Sequence, residues 1–384
     1  MNACRFDNTI DHESTQFTQY AGHIEAHDLS TLADAFVKIK QQQSKGKWIV
    51  LVLSYELGYA LEPNSRHGHA RRNALDIPQD HRCWPLLTAL VFNKRHVVSA
   101  LSPVPVSQPL FSMVKPGVTA EHYQQTILNI KQWLARGDGY QINYTFPLQV
   151  QSQHQPLMIY RNILHQHPTR YAAYIDLEDR QILSFSPALF LEKKGPWLRT
   201  RPMKGTAPRY ADPLKGAQSR QGLADSIKNR AENCMIVDLL RNDLGRIVVS
   251  GSVAVEKLFE IERYESIWTM TSTIRANVGD ASLATILRAL FPCGSVTGAP
   301  KIAAMRYISE LEAQPRGIYC GSIGWLAPNG DMQLNVAIRT LVMNGQTGVY
   351  GVGGGIVMDS DPLEEWHECQ WKSRVLSTDT RGWI

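Results

Sequence analysis

Cysteine is scarce in this chain, and long apolar runs and a signal peptide are missing. The longest apolar run, residues 48–53, is far too short to span a bilayer, and no basic segment followed by an apolar core opens the chain. The cysteines form no CxxC pair and most stand among apolar residues, which predicts reduced core thiols in a cytoplasmic protein away from membranes. The cysteines are Cys4, Cys83, Cys234, Cys293, Cys320 and Cys369.

Charge is spread along the chain and is not gathered in blocks. The formal net charge is +5 at pH 7, without the basic runs of nucleic-acid-binding arms. No basic patch interleaved with aromatic residues occurs, and neither a P-loop nor a dinucleotide-binding glycine pattern is present. The sequence therefore argues against a nucleic-acid binder, and its mild positive balance is compatible with a small anionic substrate.

The pattern of the chain changes near the proline-rich residues 103–109. Short apolar segments with polar connections precede this region, and helical patterns interspersed with strands follow it. Residues 118–135 have apolar side chains at helical spacing, with Thr119 as the expected N-cap. Many strands with interspersed helices and short turns predict an α+β fold with two packed sheets.

Lys204 stands in an unusual setting, between two prolines and before a Gly-Thr pair in the segment TRPMKGTAPR. A lysine framed in this way has little freedom to move into solvent. Nucleophilic lysines act as neutral amines, so their sites lower the pKa by burial or by a nearby cation. Taken alone, a solvated loop lysine is the more common interpretation.

Glu232 lies on the apolar face of a helix predicted over residues 226–240. It shares helical spacing with Met235, Ile236 and Leu239. A carboxylate on such a face is costly unless a cation or hydrogen bonds meet it. Asn229 lies one turn earlier on the same side. A salt bridge to a core arginine and a functional carboxylate are equal alternatives for Glu232 at this point.

A second acidic helix is predicted after Asp361, its N-cap, with Glu364 at the capping-box position. Glu365 and Glu368 lie one turn apart on another face, with Lys372 a turn beyond. A solvated Glu368–Lys372 pair, worth only ~0.3–0.5 kcal/mol, is the alternative to a functional role. The apolar neighbours on this helix argue against a free surface, and carboxylates on two helices suit Mg²⁺.

Two glycine-rich segments, residues 351–355 and 294–301, are predicted to be turns that bind anions. Exposed backbone N–H groups at such turns attract negative charge. Arg339, in a strand predicted over residues 335–342, is a candidate bidentate partner for a carboxylate, with a structural ion pair as the alternative. Together these features suggest a substrate that carries carboxylates.

Taken together, these segments resemble the chorismate-utilising enzymes. The resemblance covers about residues 118–375 and rests on GDGYQIN at 137–143, AENCMIVDLLRND at 231–243, GSVTGAPK at 294–301, RGIYCG at 316–321 and the segment 353–372. It implies a sandwich of two large, mostly antiparallel sheets flanked by helices, with chorismate and Mg²⁺ in a cleft at one side. Residues 1–115, which match loosely, would form the N-terminal part. Residues 116–384 would form the chorismate-binding catalytic region of one integrated structural domain.

Two positions divide that family by chemistry. Members that add water have a lysine where this chain has Gln141, which implies ammonia as the nucleophile here. Anthranilate-forming members, the alternative within the family, have alanine at the position of Lys204. The resemblance is therefore closest to the branch that forms 4-amino-4-deoxychorismate, the p-aminobenzoate precursor for folate. In that branch the lysine attacks C2 of chorismate as the C4 hydroxyl leaves, and ammonia then adds at C4 and expels the lysine.

The resemblance also implies roles for individual residues. Glu232 and Glu368 match the Mg²⁺ ligands, with Glu365 beside them. The positions implied to grip the substrate carboxylates are Tyr319, Arg339, Gly353 and Lys372. The other positions implied to bind the substrate are Gln141, Thr206, Thr297, Gly354 and Glu365.

Three positions depart from the family pattern. Ala188 stands where a Ser-Pro-Glu motif has the glutamate that protonates the departing hydroxyl, a step typically worth ~10²–10⁴ in rate. Asn229 stands where relatives have Glu or Asp, and Thr269 stands where many have a histidine linked to later steps on the ring. Ala188 supports an alternative of another class, a catalytically impaired paralogue that binds chorismate or docks a glutaminase.

No glutamine amidotransferase motif and no lyase domain are visible in the sequence. The resemblance therefore implies that ammonia comes from solution or from a separate glutaminase subunit in a heterodimer. A separate aminodeoxychorismate lyase would then release p-aminobenzoate. The absence of a clear tryptophan-feedback motif in the N-terminal part predicts that tryptophan does not regulate the chain.

Overall fold

The computed structural model describes residues 4–62, 84–264 and 267–376. None of the helices in these ranges combines the length and the apolar character that a membrane span needs. Burial confirms the predicted core position of four cysteines, whereas Cys234 is exposed and Cys83 lies outside the described residues. The buried thiols are those of Cys4, Cys293, Cys320 and Cys369.

Helices of the described residues begin at side-chain caps where the sequence predicted them. Thr119 accepts a hydrogen bond from the backbone of the first helical turn, and Asp361 does the same for the last helix. Both predicted N-caps are confirmed. The helices are α1 (Leu29–Ser44), α2 (Leu57–Leu61), α3 (Ala120–Ala135), α4 (Pro156–Gln166), α5 (Pro213–Asp225), α6 (Ile227–Gly245), α7 (Leu283–Leu290), α8 (Lys301–Leu311) and α9 (Pro362–Ser373).

Strands are the other main regular element of the described residues. Those before the proline-rich segment are β1 (Cys4–Asn8), β2 (Glu13–Ala26), β3 (Trp48–Leu53) and β4 (Leu87–Val97). Those that follow are β5 (Met113–Pro116), β6 (Gln141–Gln151), β7 (Tyr171–Asp176), β8 (Gln181–Ser186), β9 (Leu189–Lys194), β10 (Trp197–Arg201), β11 (Met203–Pro208), β12 (Ala254–Arg263), β13 (Ile267–Asn277), β14 (Gly298–Ala299), β15 (Ser322–Leu326), β16 (Met332–Asn335), β17 (Thr340–Asn344) and β18 (Thr347–Ile356).

Hydrogen bonds link the described strands into one antiparallel path. From one edge the order is β5, β6, β18, β17, β8, β7 and β1. The path continues through β2, β4, β3, β15, β16, β9, β10 and β13, and both β11 and β12 pair with β13. Strands from both sides of the proline-rich segment therefore pair with one another, as β1 does with β7 and β3 does with β15.

The path folds back on itself to form two layers. Val50 and Val52 of β3 meet Ile175 of β7 and Ile182 of β8 in one apolar cluster between the layers. The alternate residues of β3 pack into the larger core that includes the helices. The predicted α+β sandwich with mostly antiparallel strands is confirmed, and the two layers are joined through β1, β2 and β4.

The strand predicted over residues 335–342 is confirmed only at its two ends. β16 ends at Asn335 and β17 begins at Thr340, so the four residues between them are irregular. Arg339 in this break has a φ of +50°, in the left-handed region. Because Arg339 lies outside a strand, the alternation of side chains between the two faces of a sheet does not determine the direction of its side chain.

Candidate active site

One cleft of about 400 Å³ brings most of the predicted site residues together. It is lined by β11, α6, α9 and the C-terminal half of β18. Its volume lies within the range of small-molecule sites, about 300–1,000 Å³. The predicted residues on its lining are Lys204, Thr206, Glu232, Tyr319, Arg339, Gly353, Gly354, Glu365, Glu368 and Lys372.

Gln141 and Thr297 lie behind this lining, and both are fully buried. Gln141 Oε1 accepts a hydrogen bond of 3.3 Å from Lys204 Nζ, while Gln141 Nε2 has no partner among the described residues. The Thr297 hydroxyl donates to Cys293 O at 2.9 Å. Gln141 thus touches the site through Lys204, whereas Thr297 supports the wall. Their substrate-binding roles stay predictions.

A β-bulge presents Lys204 to the cleft. The register between β11 and β13 slips between Met203 and Thr206, so Lys204 and Gly205 together face the single residue Met270. Gly205 has a φ of +83°, which glycine adopts without steric cost. Because bulges re-aim side chains beside active sites, this irregularity explains how Lys204 leaves the sheet pattern and faces the cleft.

The surroundings of Lys204 favour its neutral amine. Burial lowers the pKa of Lys204, the Glu232 carboxylate opposes that shift, and the Lys372 ammonium adds to it. A neutral amine is the nucleophilic form of lysine. A freely solvated loop lysine does not fit this geometry.

The three carboxylates that line the cleft, Glu232, Glu365 and Glu368, have different neighbours. Burial raises the pKa of Glu365, whose Oε1 accepts a hydrogen bond of 2.7 Å from Ser360. Lys372 pairs with Glu368 at 2.8 Å and lowers the pKa of that carboxyl. Among residues 4–62, 84–264 and 267–376 no arginine forms an ion pair with Glu232, whose carboxylate acts on the charge of Lys204. The described residues therefore give no support to the salt-bridge alternative for Glu232.

The donor set fits a magnesium ion that is shared with a substrate. Mg²⁺ in proteins takes one or two carboxylates and completes its shell with waters and substrate oxygens. Glu232 and Glu368 line the same cleft and supply only oxygen donors. Within the described ranges, no three potential ligand residues gather closely enough to hold a metal by themselves. An all-protein cage is therefore not formed by these residues.

Arg339 is a half-buried cation without a carboxylate partner in the described part of the chain. Burial lowers the pKa of Arg339, and the groups that act on its charge are Tyr350 and Tyr264. An arginine remains protonated at neutral pH even after such a shift. Its planar guanidinium matches a carboxylate with two parallel hydrogen bonds. The geometry favours a ligand-binding role over the structural ion pair.

The glycine-rich segment 351–355 is part of a strand, so the turn predicted there is wrong. β18 pairs with β6 along its whole length. A Cβ at Gly353 would lie 2.2 Å from Tyr144 O, and one at Gly351 would lie 2.1 Å from the Tyr319 ring. These glycines let neighbouring groups approach the strand closely. The edge of β18 still meets a cation, because Lys372 Nζ donates to Gly353 O at 2.7 Å.

A sequence model of chorismate binding enzymes matches residues 3–378, nearly the whole chain. The chain belongs to the chorismate binding enzyme family. The fold agrees, since it matches the crystal structure of anthranilate synthase component I from Streptococcus pneumoniae with a TM-score of 0.79 and 25% identity. That match covers 98% of this chain and 92% of the other.

Relatives of this family member carry two different names. Aminodeoxychorismate synthase component 1 of Salmonella typhimurium is 40% identical over 275 residues, which cover 71% of this chain and 61% of that protein. Anthranilate synthase component 1 of Streptomyces coelicolor is 36% identical over 267 residues, which cover 69% of this chain and 52% of that protein. This family member thus matches less than two thirds of the length of either relative.

The departures from the family pattern lie at the cleft. Ala188 is on its wall, 7% exposed, where it supplies no proton donor. Asn229 also lines the cleft, while Thr269 is fully buried behind it.

Sequence reasoning missed two cations of the cleft. Lys228 lies on its lining in the first turn of α6, and its charge acts on both Glu365 and Glu368. Arg201 lines the cleft while paired with Glu262. The position of Lys228 beside Asn229, at the start of the acidic helix, was the signal that could have identified it.

Proposed function

We propose that this family member is component I of an aminodeoxychorismate synthase, which converts chorismate and ammonia to 4-amino-4-deoxychorismate. The observation that carries the proposal is Lys204, held on a bulge in a cleft with a lowered pKa and a hydrogen bond to Gln141. An enzyme that used ammonia alone as nucleophile would have no need of such an amine. The similarity to the Salmonella typhimurium protein supports the same assignment.

The proposed chemistry divides one displacement into two. The neutral Lys204 amine forms a bond to C2 of chorismate, the ring double bonds shift, and the C4–O bond breaks. The attacking nitrogen becomes positively charged when it bonds to C2 and then loses one proton. The departing hydroxyl group takes up that proton and leaves as water. Ammonia then bonds to C4, the double bonds shift back, and the C2–N bond breaks. One proton passes from the new ammonium group at C4 to the departing nitrogen, so that Lys204 leaves as a neutral amine. Gln141 Oε1 would orient the amine in its free state.

The other cleft residues would hold the substrate. Arg339 would take one carboxylate with its paired N–H groups. Lys372, placed by its bonds to Glu368 and Gly353, would add positive charge beside β18. Glu232 and Glu368 would hold Mg²⁺, which when bound supplies positive charge to a substrate carboxylate.

The first test is to incubate the pure protein with chorismate, Mg²⁺ and ammonium and to identify the product by mass. We expect 4-amino-4-deoxychorismate. Anthranilate as the product would assign the chain to the other branch of the family. Glutamine in place of ammonium is expected to give no product until a glutaminase subunit is added, and release of p-aminobenzoate is expected only with an added lyase.

A second candidate function is a chorismate-binding paralogue with impaired catalysis, which Ala188 on the cleft wall favours. A missing general acid is typically worth ~10²–10⁴ in rate. In that case chorismate would raise the melting temperature in the presence of Mg²⁺ but would remain unconverted. Recovery of product formation in Ala188→Glu would identify the missing proton donor as the cause.

Glu232→Gln is expected to weaken the response to magnesium. The change removes one negative charge while it keeps the shape of the side chain. The Mg²⁺ concentration for half-maximal product formation should rise by at least about tenfold. Glu364→Gln is the matched control, because Glu364 is an exposed carboxylate of α9 outside the cleft. Equal magnesium titrations for both variants would remove Glu232 from the metal site.

Gly355→Ala is expected to lower kcat with little change in stability. The new Cβ would lie 2.6 Å from Gln141 Nε2 and 2.9 Å from Lys204 Nζ, which are ends of side chains that are able to move. A shift of about 1 Å in a reacting group costs on the order of 10²-fold in rate. Gly222→Ala, in α5 with nothing within 4 Å of the new methyl group, serves as the control. The readouts are initial rate and thermal midpoint, and a folded Gly355→Ala variant with the wild-type rate would contradict the prediction.

A further inference from the structure

Gly205, which follows Lys204 in the bulge, is held from two sides. The Thr269 hydroxyl of β13 donates a hydrogen bond of 3.2 Å to Gly205 O. From α6, Asn229 packs against the same residue so closely that a Cβ at position 205 would lie 2.9 Å from its Cγ and its Oδ1. A strand and a helix therefore meet at the backbone of the residue next to the amine-bearing lysine.

Both holding groups are themselves fixed. Asn229 Nδ2 donates to Ser226 Oγ at 2.9 Å, and the Asn229 backbone N–H donates to the same oxygen at 3.3 Å. Ser226 is the N-cap of α6, so a rotation of the amide would disturb a capping interaction. Thr269 is fully buried and lies opposite Thr206 in the strand register.

The direction of the Lys204 side chain depends on this backbone. A glycine has access to more backbone conformations than other residues, so a bulge built on one is loose unless its neighbours restrict it. The contacts from Thr269 and Asn229 supply such a restriction at Gly205. Two of the three departures from the family pattern therefore meet at one residue.

We propose that Thr269 and Asn229 are positioning residues that hold the Gly205 backbone and thereby aim Lys204 at Gln141 and the cleft. The proposal rests on the proposed function in one respect, which is that Lys204 is the nucleophile. It assigns to Thr269 and Asn229 a role in the first step of the reaction, in which Lys204 attacks the ring, and not in the later steps on the ring.

The test compares Thr269→Val, which removes the hydroxyl and keeps the shape, with Thr269→Ser, which keeps the hydroxyl. Thr273→Val is the control, since Thr273 is a buried threonine of the same strand outside the cleft. Asn229→Ala is the second variant in case Thr269→Val does not fold. Two readouts are used for each protein: the pH dependence of Lys204 acetylation, followed by mass spectrometry, and kcat and KM for the aminated product.

In Thr269→Val and Asn229→Ala we expect the pH profile of Lys204 acetylation to have its midpoint at higher pH than in the wild type. An amine released from its buried position regains a more ordinary pKa. Their kcat should fall about tenfold with KM within about twofold of the wild type, as expected for a misplaced reacting group. Thr269→Ser and Thr273→Val should match the wild type. A Lys204 labelling profile unchanged in folded Thr269→Val and Asn229→Ala would overturn the proposal, whatever their turnover.

Acetylation of Lys204 can be measured without turnover of substrate. The positioning role of Thr269 and Asn229 can therefore be rejected independently of the proposed function. A wild-type protein that forms no aminated product would reject the proposed function. The labelling profiles of the variants would still decide whether Thr269 and Asn229 position Lys204.

Discussion

Lys204→Met is expected to abolish formation of 4-amino-4-deoxychorismate. Methionine keeps much of the length and apolar volume of the side chain but offers no nitrogen to attack C2. Loss of a covalent nucleophile is expected to reduce kcat by on the order of 10³-fold or more. The measurement is product formation from chorismate and ammonium in the presence of Mg²⁺, with products identified by mass.

Controls separate the loss of the amine from a general loss of structure. Lys193→Met removes a lysine of β9 that donates to Gly195 O at 2.6 Å, outside the cleft, and should leave the rate near that of the wild type. Lys204→Cys is expected to regain activity after aminoethylation, which rebuilds an amine of similar reach. Wild-type turnover by Lys204→Met would reject the covalent route, and a switch to anthranilate would show that Lys204 directs the position of amination.

Arg316→Ala is expected to destabilise the protein by about 3–5 kcal/mol, because it leaves a buried carboxylate unpaired. Arg316 Nη2 bonds to Glu312 Oε1 at 2.7 Å and Arg316 Nε bonds to Glu312 Oε2 at 2.8 Å, with side chains only 3% and 7% exposed. The same guanidinium donates to Val296 O at 2.8 Å and to Asn143 O at 2.6 Å, and it lies over the Tyr55 ring. Val296 and Asn143 line the cleft, so activity should fall together with stability.

The exposed pair of Arg241 and Asp238 provides the comparison. These side chains, 54% and 63% exposed, are 3.1 Å apart, and Arg241→Ala is expected to change stability by less than about 1 kcal/mol. Urea unfolding and thermal midpoints measure both variants. Unfolding of Arg316→Ala and Arg241→Ala at the same urea concentration would show that the buried network does not stabilise the protein more than the exposed pair does.

Local signals were sufficient for several elements. The apolar run of residues 48–53 forms strand β3, because a continuous apolar run of that length is buried on both faces. Thr119 and Asp361 cap their helices through contacts within one turn of the chain. Helical spacing places Glu365 and Glu368 on one face of α9, and both line the cleft, whereas their meeting with Glu232 of α6 depends on how the two helices pack.

Other features depend on contacts between distant segments. The glycines at 351–355 resembled a turn, yet they lie in a strand because Tyr144 and Tyr319 pack against them. The residues around Arg339 had the pattern of a strand, but the chain breaks there between two pairings that belong to different layers. Neither outcome follows from spacing, because the packing partner lies far away in the sequence.

By itself, the sequence determined the fold class, the helix starts and the residue types available for chemistry with a carboxylate-bearing substrate. These follow from composition, periodicity and motifs, which act over a few residues. Only the tertiary structure decided how Lys204 is presented, through a bulge whose existence depends on the register between β11 and β13. It also decided which of the scattered charges are paired and which face the cleft unpaired, because burial and distance between remote segments set those energies.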